Sequence, residues 1–367
     1  MPDTSIVKDA DLRKQLRDTS RFTLPAVREV EVRHIIAKQV ARNEERAARE
    51  VELSAMPREK QRRARTLDHF QKKDPKVKDI GHLHSVLAIC GLPYKRPPIE
   101  RREFRHMQGN MGITVQAGSG LCSDGTWIDY SLPFGPKARL VLMHLCSEAL
   151  RQRSPTIEIA DTFTAFVRDM GFTDSGGEKG PLTAFKEQLN ALAHCSIRIS
   201  STEPNNVKAN QFFPIEEMEM WLSTDSHQQS LWPSKVTFSG VMYESLQRHA
   251  MPFNRHVVRA LQGSARKLDI YFWLNWRMHN ISAQLVIGWN AITEQFGSGF
   301  SRQRDFKAQF KEEITHIMEV LPKTPLKLTE RGLILQPADP GMLELPKLRS
   351  GNLDEIRIAS PKNVPRE

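Results

Sequence analysis

Arg304, Lys307 and Lys311 are three cations spaced three and four residues apart, in a stretch where Phe306, Phe310, Ile314, Ile317 and Leu321 recur at helical period. On a wheel of about 100° per residue the apolar set forms one stripe and the cations a neighbouring exposed face. Guanidinium and ammonium groups so placed can neutralise phosphates or hydrogen-bond guanine edges. A second stretch has the same plan: Leu182, Phe185, Leu189 and Leu192 make the stripe, and Thr183, Lys186 and Asn190 fall where the three cations fall. Thr and Asn suit base edges, Asn characteristically adenine. Either helix alone reads as an ordinary solvated amphipathic helix, but recurrence at the same positions in two copies favours a shared binding role. Arg302, in the first turn of the second helix, and Arg331, in the turn Glu330-Arg331-Gly332, complete the set expected to face DNA.

Other chemistry is incompletely encoded. His82-Leu83-His84 has the His-hydrophobic-His form with which rolling-circle nickases hold a metal, yet none of Tyr94, Tyr130, Tyr243 and Tyr271 has a lysine four residues on, as a nicking motif would. Metal ligation also needs converging imidazoles and a further ligand. The spaced glycines from Gly171 to Gly177 are followed by Glu178-Lys179 instead of Gly-Lys-Ser/Thr, so no phosphate-binding loop is formed. Cys90, Cys122, Cys146 and Cys195 include no C-x-x-C pair and read as buried thiols of a reducing compartment. No catalytic residue, metal or cofactor is expected.

The elements that carry the two faces are themselves repeated. Residues 139–159 align without a gap on 267–287, with Leu140 on Leu268, Leu142 on Ile270, Ser154 on Ser282, Ile157 on Leu285 and Ile159 on Ile287. The first copy predicts a helix over 137–151, a strand over 156–159, a helix over 161–170 with Asp161 as N-cap, a glycine-rich turn, and a helix from Pro181 to His194. A strand over 196–200 and the stretch 212–221 are expected to form its wing. The second predicts helices over 241–249, 255–262 and 265–279, a strand over 285–287, helices over 289–296 and 301–321, and a hairpin of 326–328 with 333–335 as the second wing. Residues 111–115 and 126–128 read as a small strand pair.

The chain has 367 residues, 53 Lys or Arg against 43 Asp or Glu, and a formal charge of +10, which favours a polyanionic partner. Residues 1–80 hold 20 of the cations and 14 of the anions, so they predict a charged N-terminal arm, partly helical near 27–55 and otherwise disordered. The expected division is that arm, a first winged-helix domain over 81–237, a second over 238–338, and a flexible tail over 339–367. The start is polar and the longest apolar run, 140–145, is interrupted by His144, so a cytoplasmic chain with no membrane partner is expected.

Several ordered motifs carry a resemblance to a known family. They are Leu92–Pro98 (LPYKRPP), Leu132–Pro155, Ser175–Gly177, Leu268–Met278 (LDIYFWLNWRM), Trp289 with Gln295-Phe296-Gly297, and Arg304–Phe310 (RDFKAQF). Across residues 80–336 the chain resembles the plasmid-encoded RepA replication initiators, differing at Glu178, Glu187 and Asn190 where that family is richer in Arg. The repeated helix, glycine turn and amphipathic helix predict an α+β, mostly helical protein with tandem winged-helix domains, and the resemblance implies that it binds repeated sites in double-stranded plasmid origin DNA and helps open the duplex. Its implied partners are the host replication initiator and helicase machinery, with self-association admitted. The non-enzymatic rival is a winged-helix transcriptional regulator, which would bind one palindrome in place of direct repeats beside an AT-rich segment.

Overall fold

A computed structural model of the chain describes residues 3–22, 24–57, 60–61, 64, 79–109, 111–121, 125–172, 181–203, 206–219 and 235–343. The chain divides into two compact units, Met1–Lys72 and Lys73–Glu367.

The first unit is a helical hairpin. Helix α1 (Ala10–Asp18) and a 3-10 turn (Thr19–Arg21) lead to α2 (Pro25–Ser54), 30 residues long. Pro25 at its first position loses no helix hydrogen bond there. Val7, Leu12 and Ile35 are buried together, with Leu16 and Ile36 against them. Polar groups then fix the register: buried Gln39 accepts from the backbone N–H of Lys8 and Asp9, and Asp9 pairs with Arg42 at 2.9 Å and Arg46 at 2.8 Å. The helix expected near 27–55 is α2, and α1 packs on it to make a hairpin. Two turns of apolar contact plus one buried amide close a hairpin that composition alone does not reveal.

In the second unit, β1 (Ile80–His84) runs into α3 (Ser85–Cys90), followed by β2 (Glu103–Gln108), β3 (Met111–Ala117), β4 (Ser119–Leu121) and β5 (Trp127–Asp129). The first copy comprises α4 (Gly135–Gln152), β6 (Thr156–Glu158), α5 (Ala160–Asp169), α6 (Pro181–Ala193), β7 (Cys195–Glu203), β8 (Asn206–Phe212), β9 (Glu217–Glu219) and β10 (Lys235–Thr237). The second comprises α7 (Gly240–His249), β11 (Ala250–Asn254), α8 (Arg255–Leu261), α9 (Ala265–Asn280), β12 (Leu285–Gly288), α10 (Trp289–Phe296), α11 (Gln303–Val320), β13 (Leu326–Thr329) and β14 (Gly332–Leu335).

Helices α4 and α9 are buried nearly all round and make the centre. Leu140 to Leu145 and Leu268 to Leu274 are buried almost without interruption. Each is followed by a short strand, two further helices and two strands, and the sheets have matching orders, β6-β10-β9 and β12-β14-β13, all antiparallel. The copies differ by an insertion. The β7–β8 hairpin leaves the first copy to complete a separate sheet of order β2-β3-β7-β8.

That insertion corrects the expected first wing. The apolar side of β7 finds the apolar side of β3, Ile197 opposite Val115 and Ile199 opposite Ile113, while β9 and β10 close the copy's own sheet. The expected strand pair is also rearranged: 111–117 pairs with β2 and β7, and 127–129 with β4. Alternation marks a strand but not its partner, and Ile113 and Val115 are buried whereas Trp127 is 72% exposed. The N-cap position of α5 is Ile159, two residues earlier than Asp161. At the C-terminal end, Pro340–Leu343 form a 3-10 turn, Leu343 is buried and the Met342 carbonyl accepts from Thr324 Oγ1, so the expected tail begins with packed chain.

The repeat extends further upstream than sequence alignment shows. Strand β1 leads into α3 through His84, whose side chain accepts from Val86 N, and β11 leads into α8 through Asn254, whose side chain accepts from His256 N. These equivalent strands pair antiparallel with His82 opposite Pro252, Ile80 opposite Asn254 and His84 opposite Ala250. The pairing is therefore symmetric about its centre, as in an isologous contact between two like elements.

Candidate nucleic-acid interface

The last helix of each copy, α6 and α11, places its apolar stripe in the core. Phe185 and Phe306 are fully buried, as are Leu189 and Phe310, which leaves the Thr183, Lys186, Asn190 side of α6 and the Arg304, Lys307, Lys311 side of α11 outward. Thr183, Arg304 and Lys311 are exposed; Lys186, Asn190 and Lys307 are half-buried.

Around α11 the cations meet two residues that sequence reasoning does not single out. Trp289, the first residue of α10, lies under Lys307, whose Nζ is 5.3 Å from the ring centroid. Its indole N–H donates to the Glu330 carbonyl at 2.9 Å, tying the β13–β14 turn to the helix. The Glu330 carboxylate in turn lies 3.7 Å from Lys311 Nζ. A cation over an indole face is held by the ring quadrupole, so Lys307 is positioned by an aromatic platform while Lys311 is tethered to the turn. Arg331 is exposed in that turn. Gly332 beside it has φ +143, and a side-chain carbon there would collide with the Ile287 carbonyl, so the turn needs glycine. Arg302 occupies the N-cap position of α11 with no side-chain cap bond, and Arg304, 84% exposed, has Asp305 at 3.5 Å. The helix N-terminus adds its own positive partial charge to this group.

Around α6 the face is less cationic and more tightly held. Glu187, an anion on this helix, pairs with Arg96 at 2.6 Å, and Arg96 lies 5.0 Å over the Phe134 ring. Gln188 accepts from Phe134 N at 2.8 Å. At the end of the helix the Asn190 carbonyl accepts the backbone N–H of His194 and meets its Nδ1 at 2.9 Å; the His194 ring stacks on Tyr130 at 4.0 Å. Arg96 was not legible as a site residue, because its partner lies 91 positions away. The glycine-rich turn at 173–180 and the chain between β9 and β10 lie outside the described residues.

The residues of the rival chemistries are engaged elsewhere. His84 is buried, its Nδ1 taking the Val86 N–H and its Nε2 lying 2.9 Å from Ser245 Oγ; burial, with His249 nearby, pulls it down to about 3. Burial, with Arg255 second, takes His82 to about 4. Tyr271 is buried with its hydroxyl accepting from Asn254 N, and burial raises the Tyr94 phenol far above its usual range. No cluster of three potential metal ligands occurs among the described residues. Burial pushes the Cys90, Cys146 and Cys195 thiols up to about 12, as expected of inert core cysteines. Cys122 lies outside the described residues. No helix among those described is long and apolar enough to cross a membrane.

Comparison with known proteins bears on the central segment. Residues 132–291, from the start of α4 through β12 into α10, match the family model described as plasmid encoded RepA protein. Over this segment the chain is RepA-like. Of the motifs quoted above, Leu132–Pro155, Ser175–Gly177, Leu268–Met278 and Trp289 fall inside the segment, while Leu92–Pro98 and Arg304–Phe310 flank it. No curated protein matches the chain. Two crystal structures of domains 2 and 3 of RctB, one of them of selenomethionine derivatives, align with TM-scores of 0.43 and 0.40 and identities of 9% and 10%. Each covers 63% of this chain, and 85% and 82% respectively of the other.

Proposed function

We propose that the two copies are winged-helix domains and that the chain is a plasmid replication initiator, binding origin DNA through α6, α11 and the adjoining turns. The observation that carries this reading is the repeated topology with matching sheet order, each copy presenting one face of its last helix outward. In such domains that helix enters the major groove while the strand turn reaches the backbone. The RepA match supplies the plasmid context. The symmetric β1–β11 pairing relates the copies as two halves of a dimer are related, so one chain would address two half-sites of opposite polarity. Because α6 and α11 carry different side chains, those half-sites differ in sequence, and a full site reads as one asymmetric repeat unit.

No covalent chemistry is assigned. Duplex opening would draw on binding and bending, with deformation costing on the order of several kcal/mol and offset by added contacts. Recruitment of the host initiator and helicase follows from the same reading. Footprinting of the purified chain across its own plasmid's origin tests it. Several direct repeats beside an AT-rich segment are expected; a single protected palindrome makes the chain an operator-binding regulator, and a tyrosine-linked DNA adduct makes it a nickase.

A further inference from the structure

Helix α2 has a second face that the hairpin leaves open. The residues directed at α1, Val32, Ile35, Gln39, Arg42 and Arg46, centre on one side of the helix. About 150° around it, at 100° per residue, lies a stripe at alternating spacings of four and three: Ala26, Val30, Arg33, Ala37, Val40, Glu44, Ala47 and Val51. All eight are exposed, Val30 at 68% and Val51 at 70%. This is the a/d spacing of a coiled-coil seam, with two charges among six small or β-branched apolar residues.

We propose that this stripe is the contact with a second copy of the chain, the two α2 helices packing antiparallel. Four pairs are formed when the helices cross between Lys38 and Gln39: Ala26 with Val51, Val30 with Ala47, Ala37 with Val40, and Arg33 with Glu44. Each pair occurs twice by symmetry. Every apolar layer then matches one small with one larger residue, which lets the helices approach closely. The only two charges of the stripe meet each other. Shifting the register by one heptad in either direction sets Arg33 or Glu44 against Val or Ala. A parallel pairing sets Arg33 against Arg33 and Glu44 against Glu44, where like charges repel. Flanking positions add Val27 against Ala48 and His34 against Ala41. Glu29 approaches Glu50 in this register, and Glu29 already pairs with Arg33 at 2.7 Å. A second copy is therefore selected by charge and by volume together.

The test is sedimentation equilibrium of the full chain at low salt, across concentrations reaching tens of micromolar. The wild type should show a reversible monomer–dimer equilibrium. Arg33→Glu and Glu44→Arg should each raise the dissociation constant by roughly tenfold or more, since each turns both attractive pairs repulsive. The double variant Arg33→Glu with Glu44→Arg should restore the dimer, because the antiparallel register pairs the swapped charges again. Both positions are exposed on α2, and far-UV circular dichroism reports whether the helix remains folded. A wild type that stays monomeric overturns the proposal. So does a dimer indifferent to the single substitutions, which would rest on another surface, and so does a double variant as weak as the singles, which would rule out this register.

Discussion

Arg139 and Asp269 form a two-pronged ion pair, Nε to Oδ1 at 2.5 Å and Nη2 to Oδ2 at 2.6 Å, with both side chains almost wholly buried between α4 and α9. The remaining guanidinium donors are taken by the carbonyls of Leu92, Pro93 and Gly135. Tyr94 packs its ring against Arg139 at 5.3 Å and against Arg266 at 4.6 Å, and the far side of Arg266 meets Phe300. The motifs at 92–98, 132–155 and 268–278 thus converge on one buried joint between the copies. These motifs therefore hold the two copies together. The joint is also asymmetric: Arg139 aligns with Lys267, which instead contacts His316 Nδ1 at 3.0 Å, and Asp269 aligns with Val141.

Removing one partner of such a pair strands a buried charge. Asp269→Ala is expected to cost about 3–5 kcal/mol of stability, read from urea unfolding. Replacing both partners, Arg139→Met with Asp269→Leu, removes the charges along with their desolvation cost and should lose well under half as much. Equal losses in the single and double variants would mean that the carbonyl ligands around Arg139, and not Asp269, dominate the joint.

Two buried histidines, His84 and His144, and the half-buried His82 give the fold an acid-side weakness. Burial takes His84 and His144 to about 3 and His82 to about 4, against 6.5 for the free group. Each binds a proton in the unfolded chain before it does in the folded one. The slope of stability with pH is therefore positive between these values, and stability is lost as pH falls below about 6.5. Each contributes up to about 1.4 kcal/mol per pH unit. Urea midpoints between pH 7.5 and 5 should fall steeply, and His144→Leu should flatten the dependence by one histidine's share. His144 is the suitable probe because its ring packs on Phe163 and Phe166 and the substitution keeps that apolar contact. An unchanged slope in the variant would show that His144 is protonated in the folded state.

Glu330 lies 3.7 Å from Lys311 with its own side chain 97% exposed. Glu330→Gln should release the lysine and remove an anion beside the backbone-facing surface. Affinity for cognate and random DNA should then rise together, by a factor that shrinks with added salt. The β13–β14 turn should keep its place, because Trp289 holds the Glu330 carbonyl and not its carboxylate. Tighter binding to the cognate site alone would place Glu330 at a base edge instead.

The sequence is informative where one element determines its own pattern. The helix from Trp289 to Phe296 and the hairpin of 326–329 with 332–335 lie where periodicity and a glycine turn put them, since an apolar stripe or a tight turn is written locally. The pairing of β7 with β3, the Gln39-centred closure of the N-terminal hairpin, and the Arg96–Glu187 and Arg139–Asp269 pairs were not legible. Each depends on residues 30 to 130 positions apart meeting in space. The site follows the same rule: the cations of α11 share a visible helix face, whereas the Trp289 platform and the Glu330 tether appear only once α10 and the turn are brought to them.

The two exposed triplets should divide the work of recognition, and salt separates the parts. Arg304, Lys307 and Lys311 are cations on one face of the N-terminal half of α11, so abolishing any one phosphate interaction should lower the slope of log affinity against log salt by about 0.9. Lys307→Ala and Lys311→Ala should accordingly weaken cognate and random DNA together. Lys307 is held on Trp289; Trp289→Leu should therefore reproduce part of the Lys307→Ala effect without removing a charge. Asn190 carries no charge and its backbone carbonyl is already committed to His194, which leaves the side-chain amide for base contact. Asn190→Ala should cost roughly 1–3 kcal/mol on the cognate site, little on random DNA, and nothing in salt slope. The measurement is a salt titration of both DNAs for each variant. A flattened slope for Asn190→Ala, or weakened specificity at constant slope for Lys311→Ala, reverses the roles assigned to α6 and α11.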